Sequence, residues 1–248
     1  MLPGVRHAHH GRLAESRCAP FARWAILPIV PVRAVLFDFA GTLAMPEERS
    51  AWLAACGADA AHGDALDRAG RPGPTAATVP AELVEVYAAR DHDPDAHRAA
   101  YTGLFATVVD PALATVLYER TLVVEGWVAY ADAVGVLEAL RARGIRTAVV
   151  SNVGFDSRPI LEGLGLSSLL DAVVLSYEVG AIKPEPEIFA AALEAVDVVA
   201  GEALMVGDHA ADGGAVALGI RSLLLPYSPP GGVHGLDAVL ALVEGAGA

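Results

Sequence analysis

A chain of 248 residues, 54% of them hydrophobic, can bury a full core and fits one medium domain with an insertion, or two small ones. Its net charge of −13 argues against nucleic acid as a partner, because a phosphate backbone demands a basic face. Two distant cysteines, Cys18 and Cys56, form no metal-ligand pattern and suit a reducing cytoplasm, and no run reaches the ~20 apolar residues of a membrane span.

Residues 1–31 differ in character from the rest of the chain. They hold His7, His9 and His10 and an apolar stretch over 21–32 broken by Pro28 and Pro31. Arg12 and Arg17 ahead of that stretch, with Arg23 at its start, suggest a signal peptide, but the run is short and flows straight into a strand. The expectation is a disordered leader, with folding beginning near Val32.

From Val32 onward, strand-length apolar runs alternate with helical patterns. Strands are predicted at 34–37, 145–150, 171–175, 203–206 and 220–225. Helices are predicted at 132–143, 157–164, 187–196, 211–218 and 236–243, several stopped by glycine. Such alternation predicts an α/β fold: a doubly wound parallel sheet covered on both faces. Residues 45–126 break the rhythm, with helices predicted at 48–56, 81–90, 95–108 and 112–118 and a Gly/Pro-rich connector at 57–74. Asp93-Pro94 and Asp110-Pro111 are good helix starts, a capping carboxylate followed by proline in the first turn. The division is then a leader (1–31), an α/β core (32–44 and 127–248) and a helical cap (45–126).

Four stretches would converge in such a fold, since ligands of open parallel sheets bind at the carboxyl ends of the strands. They are Asp38-Phe39-Ala40-Gly41-Thr42, Ser151-Asn152, Lys183-Pro184, and Gly207-Asp208 followed by Asp212. A carboxylate can attack phosphorus and form an acyl phosphate, splitting one hard step into two. Mg²⁺, a hard cation held by carboxylates and carbonyls, would keep that carboxylate from repelling an anionic substrate. Lys183, the chain's one lysine, and the Ser151 hydroxyl would neutralise and orient phosphoryl oxygens. Each residue alone has an ordinary reading: Asp38 as a turn cap, Ser151-Asn152 as a polar turn, Lys183 as surface, and Asp208 with Asp212 as a helix-start pair.

Taken together, these motifs resemble the haloacid dehalogenase superfamily, in the branch with a helical cap after the first motif. The longest matching signature runs from Ser176 through Lys183-Pro184 to Phe189. The resemblance implies a Rossmann-like core and a hydrolase. It makes Asp38 the nucleophile and lets Thr42 brace the first loop. Ser151 would bind phosphate, with Thr42, Asn152 and Lys183 completing the substrate-binding set. Asp38, the backbone carbonyl of Ala40, Asp208 and Asp212 would hold Mg²⁺, and Lys183 would also steady the nucleophile.

Ala40 departs from the pattern. Family phosphatases carry an aspartate there, which protonates the leaving alkoxide and then activates water; losing such a group typically costs ~10²- to 10⁴-fold. Three readings are open. One is a phosphatase of a small phosphorylated molecule whose acid is dispensable or supplied by His209, His92, His97 or Tyr101. Another is carbon–phosphorus or carbon–halogen cleavage, as in the haloacid dehalogenases, since halide departs unprotonated. The last is a non-catalytic phosphate binder. Substrate choice would fall to cap residues, with Arg90, His92, His97, Arg98 and Tyr101 as candidates, and Trp127 and Tyr130 would pack at the hinge.

Overall fold

The computed structural model describes residues 30–69 and 79–245, so 1–29 of the leader and part of the connector at 57–74 lie outside the described residues. Five parallel strands form the main sheet: β1 (Ala34–Phe37), β4 (Arg146–Ser151), β5 (Ala172–Leu175), β6 (Ala203–Gly207) and β7 (Arg221–Leu224). Their order is β5-β4-β1-β6-β7. β1 therefore sits at the centre, with the chain winding outward first to one side and then to the other.

Each central strand is buried on both faces, and the two-residue period divides its side chains between two cores. Val35, Phe37, Val149, Leu204 and Val206 point into one core, with Val136, Leu137 and Leu140 of α6 (Ala133–Ala142) and Ile160 and Leu161 of α7 (Arg158–Gly163). Ala34, Leu36, Ala148, Val150, Ala203 and Met205 point into the other, against Ile188, Phe189, Ala192 and Val196 of α9 (Pro186–Val196). The doubly wound sheet is as expected from the sequence.

Between β1 and β4 the chain makes a helical insert. It contains α1 (Arg49–Cys56), α2 (Gly63–Arg68), α3 (Val84–Ala89), α4 (Pro94–Ala106) and α5 (Pro111–Arg120). The predicted helix starts hold: Asp93 accepts the Ala96 N–H at 2.7 Å, and Asp110 accepts those of Ala112 and Leu113. The insert owns a separate small core of Trp52, Leu53, Leu66, Phe105, Ala114, Leu117 and Tyr118.

Three local expectations need correction. The stretch expected as connector contains a 3₁₀ turn and α2, because Leu66 is drawn into the insert's core and Asp64 and Asp67 pair with Arg49. The helix expected at 211–218 is a 3₁₀ segment, Asp212–Leu218, which carries Gly213 and Gly214 in its first turn. A second, two-stranded sheet was not foreseen: β2 (Ala44–Pro46) pairs antiparallel with β3 (Trp127–Ala129). Both chain crossings between core and insert run through this ribbon. Trp127 belongs to it, with its ring 4.7 Å from Phe39. An Arg120–Glu47 ion pair at 2.7 Å fastens α5 beside it.

Candidate active site

The carboxyl ends of β1, β4 and β6 converge on one cavity of about 590 Å³, roofed by the insert. Asp38 directly follows β1, Ser151 closes β4, and Asp208 directly follows β6. Lys183 comes from the loop between α8 (Ser176–Val179) and α9. Asp38, Ala40, Ser151, Asn152, Lys183, Asp208 and Asp212 all line the cavity.

At the floor, Lys183 Nζ lies 2.8 Å from Asp38 Oδ1 and 2.7 Å from Asp212 Oδ1. Asp38 Oδ1 also accepts the Phe39 N–H at 2.7 Å, which leaves Oδ2 as its less engaged oxygen. Asn152 clamps the backbone of Lys183: its Oδ1 accepts the lysine N–H at 2.7 Å and its Nδ2 donates to the lysine carbonyl at 2.9 Å. The clamp uses the Asn152 oxygen and one of its two N–H donors, so the side chain positions the lysine and keeps one donor beside the cavity. Asp212 is steadied by the His209 N–H on Oδ2 at 3.0 Å.

Two glycines make the close approach possible. A Cβ on Gly41, whose φ is +93°, would fall 2.2 Å from Asp208 Oδ2, and one on Gly207 would fall 2.1 Å from Asp212 Oδ2. Only a residue without a side chain lets the backbone come so near both carboxylates.

Burial pushes the Asp38 carboxyl up to about 7; Asp212 and Asp208 push the same way and Lys183 pulls against them. Burial would lower Lys183, but Asp38 and Asp212 more than offset it, so the ammonium is held above its ordinary range. Burial and Asp212 likewise raise Asp208. Oxygens of Asp38, Asp208 and Asp212 all lie within 4.8 Å of one another. Three carboxyls face one ammonium in a partly desolvated corner, and their mutual repulsion is part of what raises Asp38 and Asp208. A divalent cation fits that donor set, because hard cations take carboxylate oxygens and would offset the charge.

Thr42 stands apart from the expected set. It is fully buried, it does not line the cavity, and its hydroxyl has no hydrogen-bond partner among the described residues. Of the insert candidates, Arg90, His97 and Tyr101 line the roof, while His92 and Arg98 do not. Arg98 instead faces Glu119 and the Tyr118 ring. The shared face expected for His97 and Tyr101 is present, with ring centroids 4.7 Å apart. His97 Nδ1 shares a 2.9 Å hydrogen bond with the Tyr118 hydroxyl. Burial, aided by Arg90, brings His97 down to about 4, so it is neutral near pH 7. Burial, with Asp91 adding to it, lifts Tyr101 to about 12.

Sequence reasoning missed Asp91. The run Asp91-His92-Asp93-Pro94 reads as a solvated turn before a helix, yet Asp91 is only 8% exposed and lines the cavity. No local pattern could have signalled this, because its burial comes from contact with the core.

The parallel α/β core thus sets a carboxyl after its first strand against a buried lysine in one cavity. The family model described as haloacid dehalogenase-like hydrolase matches residues 32–218, and the chain belongs to that family. Among curated relatives, a phosphoglycolate phosphatase of Rhodospirillum rubrum is 39% identical over 100 residues, covering 40% of this chain and 42% of the relative. An (S)-2-haloacid dehalogenase of Pseudomonas sp. is 37% identical over 97 residues, covering 38% and 43%. The chain thus spans about half the length, or less, of the curated relatives it matches. A solved dehalogenase with an intermediate complex shares the fold at a TM-score of 0.67 and 24% identity, covering 87% of this chain and 98% of that one. Among the described residues, no helix is long and apolar enough to cross a membrane.

Proposed function

We propose that the protein is a Mg²⁺-dependent phosphatase of small phosphorylated metabolites that works through an aspartyl-phosphate on Asp38. The observation that carries this reading is the Asp38–Lys183–Asp212 chain of contacts beside Asp208. A buried carboxyl, a fixed cation and a divalent-ion donor set lie within one cavity. Asp38, Asp208, Asp212 and the Ala40 carbonyl would hold the ion. When bound it would screen the negative charge of nucleophile and substrate from each other.

The chain's own groups do the rest. Lys183 pulls Asp38 toward the ionised form that attacks and offers its remaining donor capacity to a phosphoryl oxygen. Ser151, 3% exposed at the end of β4, presents its hydroxyl to the same oxygens. Asn152 fixes the lysine from behind. The helical insert acts as a cap that excludes water from the reacting centre. The cavity suits a small metabolite, with Phe39, Met45, Trp127 and Phe155 supplying apolar walls.

The test is hydrolysis of aryl and acyl phosphates with and without Mg²⁺, beside Asp38→Asn. Activity should require the metal and fall by at least ~10³-fold in the variant, since the nucleophile itself is lost. Turnover indifferent to chelator or to Asp38→Asn would rule out this mechanism. Ala40 favours one competing reading, because halide leaves without a proton. A 2-haloacid in the same assay distinguishes it: halide release without phosphatase activity would mean carbon–halogen cleavage.

A further inference from the structure

Resting on that phosphatase reading, we propose that Asp91 supplies the leaving-group proton that Ala40 cannot, acting from the roof of the cavity. Ala40 lines the cavity and its side chain is only a methyl group, so the first loop holds no acid at this point. Four carboxyl groups line the cavity: Asp38, Asp91, Asp208 and Asp212. Three of them make up the cation cluster at the floor. Asp91 is the carboxyl left over, and it enters from the opposite wall.

Its position is held by the core rather than by the insert alone. The Ser176 hydroxyl, itself fully buried, donates to the Asp91 carbonyl and accepts the Val153 N–H at 2.9 Å. Beside it, Gly154 lets the loop settle: a Cβ there would lie 2.1 Å from the Arg90 carbonyl and 2.6 Å from the His97 Cβ. A carboxyl whose main chain is tied through Ser176 to Val153, directly after the Ser151-Asn152 pair, keeps its place relative to Asp38. Arg90 Nη2 holds Asp91 Oδ2 at 3.0 Å, leaving Oδ1 to carry the proton.

The charged and titratable groups around it are Arg90 and His92 on its own segment, Tyr101 on α4 and Lys183 from the core. Burial raises the carboxyl against the pull of Arg90, His92 and Lys183, which is the direction a proton donor needs. The other roof groups suit the task less. His97 is neutral and bonded to Tyr118, and Tyr101 binds its proton too tightly.

The chemistry balances in two steps. Asp38 Oδ2 attacks phosphorus; the bond from phosphorus to the ester oxygen breaks, its electron pair stays on that oxygen, and the Asp91 proton goes to it. Alcohol and aspartyl-phosphate result, with Asp91 ionised. Water then attacks the same phosphorus and gives one proton to Asp91. The bond from phosphorus to Asp38 breaks, which restores both side chains and releases hydrogen phosphate.

The experiment is a leaving-group series run on wild type and Asp91→Asn with Mg²⁺ present, from p-nitrophenyl phosphate to simple alkyl phosphates. Expected is a loss of ~10²-fold or more on alkyl esters and under ~5-fold on p-nitrophenyl phosphate, steepening the dependence of rate on leaving-group pKa. Retained aryl activity also shows that the variant is folded. Equal losses along the series would make Asp91 structural, and no loss would make it a bystander; either overturns the proposal and leaves the phosphatase intact. Hydrolysis of none of the esters by wild type would sink the phosphatase reading and this one with it.

Discussion

At the scale of single residues, the site depends on absent atoms as much as on present ones. Gly41 has a left-handed backbone and lies against Asp208, so a methyl group there meets both a conformational cost and a collision. The conformational cost alone is about 1–2 kcal/mol. Gly41→Ala should lower phosphatase activity by more than ~10-fold and weaken dependence on Mg²⁺, with far-UV circular dichroism unchanged. An unaltered Mg²⁺ titration would show that the first loop and Asp208 are not fitted to each other as described. Asp38, Lys183, Asp208 and Asp212 were legible in the sequence because each follows or lies near a recognisable strand end. Asp91 and the Asn152 clamp were not, since burial and partner choice arise from segments far apart in the chain.

At the scale of elements, the strands were readable because parallel strands covered on both faces are written as unbroken apolar runs. β1 is all four residues of such a run and β6 follows the same rule, whereas β4 is apolar only over 148–150. The ribbon of β2 and β3 was not readable: three residues each, one of them proline, give no period to detect. A second element-scale feature is the brace at Asp132, just ahead of α6. Its carboxylate accepts the N–H groups of His234, Gly235 and Leu236 at 2.8–3.0 Å, fixing the loop that enters α10 (Asp237–Gly245). Asp132→Ala strands those donors and should cost about 1–3 kcal/mol in urea unfolding, with faster amide exchange at Leu236. Protection at Leu236 equal to wild type would mean the loop is held by other contacts.

At the scale of the whole molecule, stability should depend on pH through His97, packed among Tyr101, Tyr118 and Phe155 where core meets insert. Its folded value, about 4, lies below the ordinary 6.5, so the unfolded chain takes up a proton that the native one refuses. The contribution is complete above about pH 6.5 and is lost as pH falls toward 4, on the order of 3 kcal/mol in all. The urea midpoint of wild type should therefore drop more steeply over that window than that of His97→Gln. Parallel curves would show that His97 is protonated without cost. The helices between β2 and β3 were foreseeable from the change of rhythm at 45–126, whereas how they touch the core was not. Gly154 and Ser176, which seat the insert on the core, look ordinary in the sequence.

Lys183, 4% exposed, is also the single lysine in the chain. A surface bearing arginine as its long basic side chain offers no ε-amine to acylating reagents while the protein stays folded. Adding one such label during unfolding would turn the buried ammonium into a reporter: the mass increment at that position counts molecules whose reacting centre has opened. A ligand that seals the cleft should slow its appearance without touching any other basic side chain.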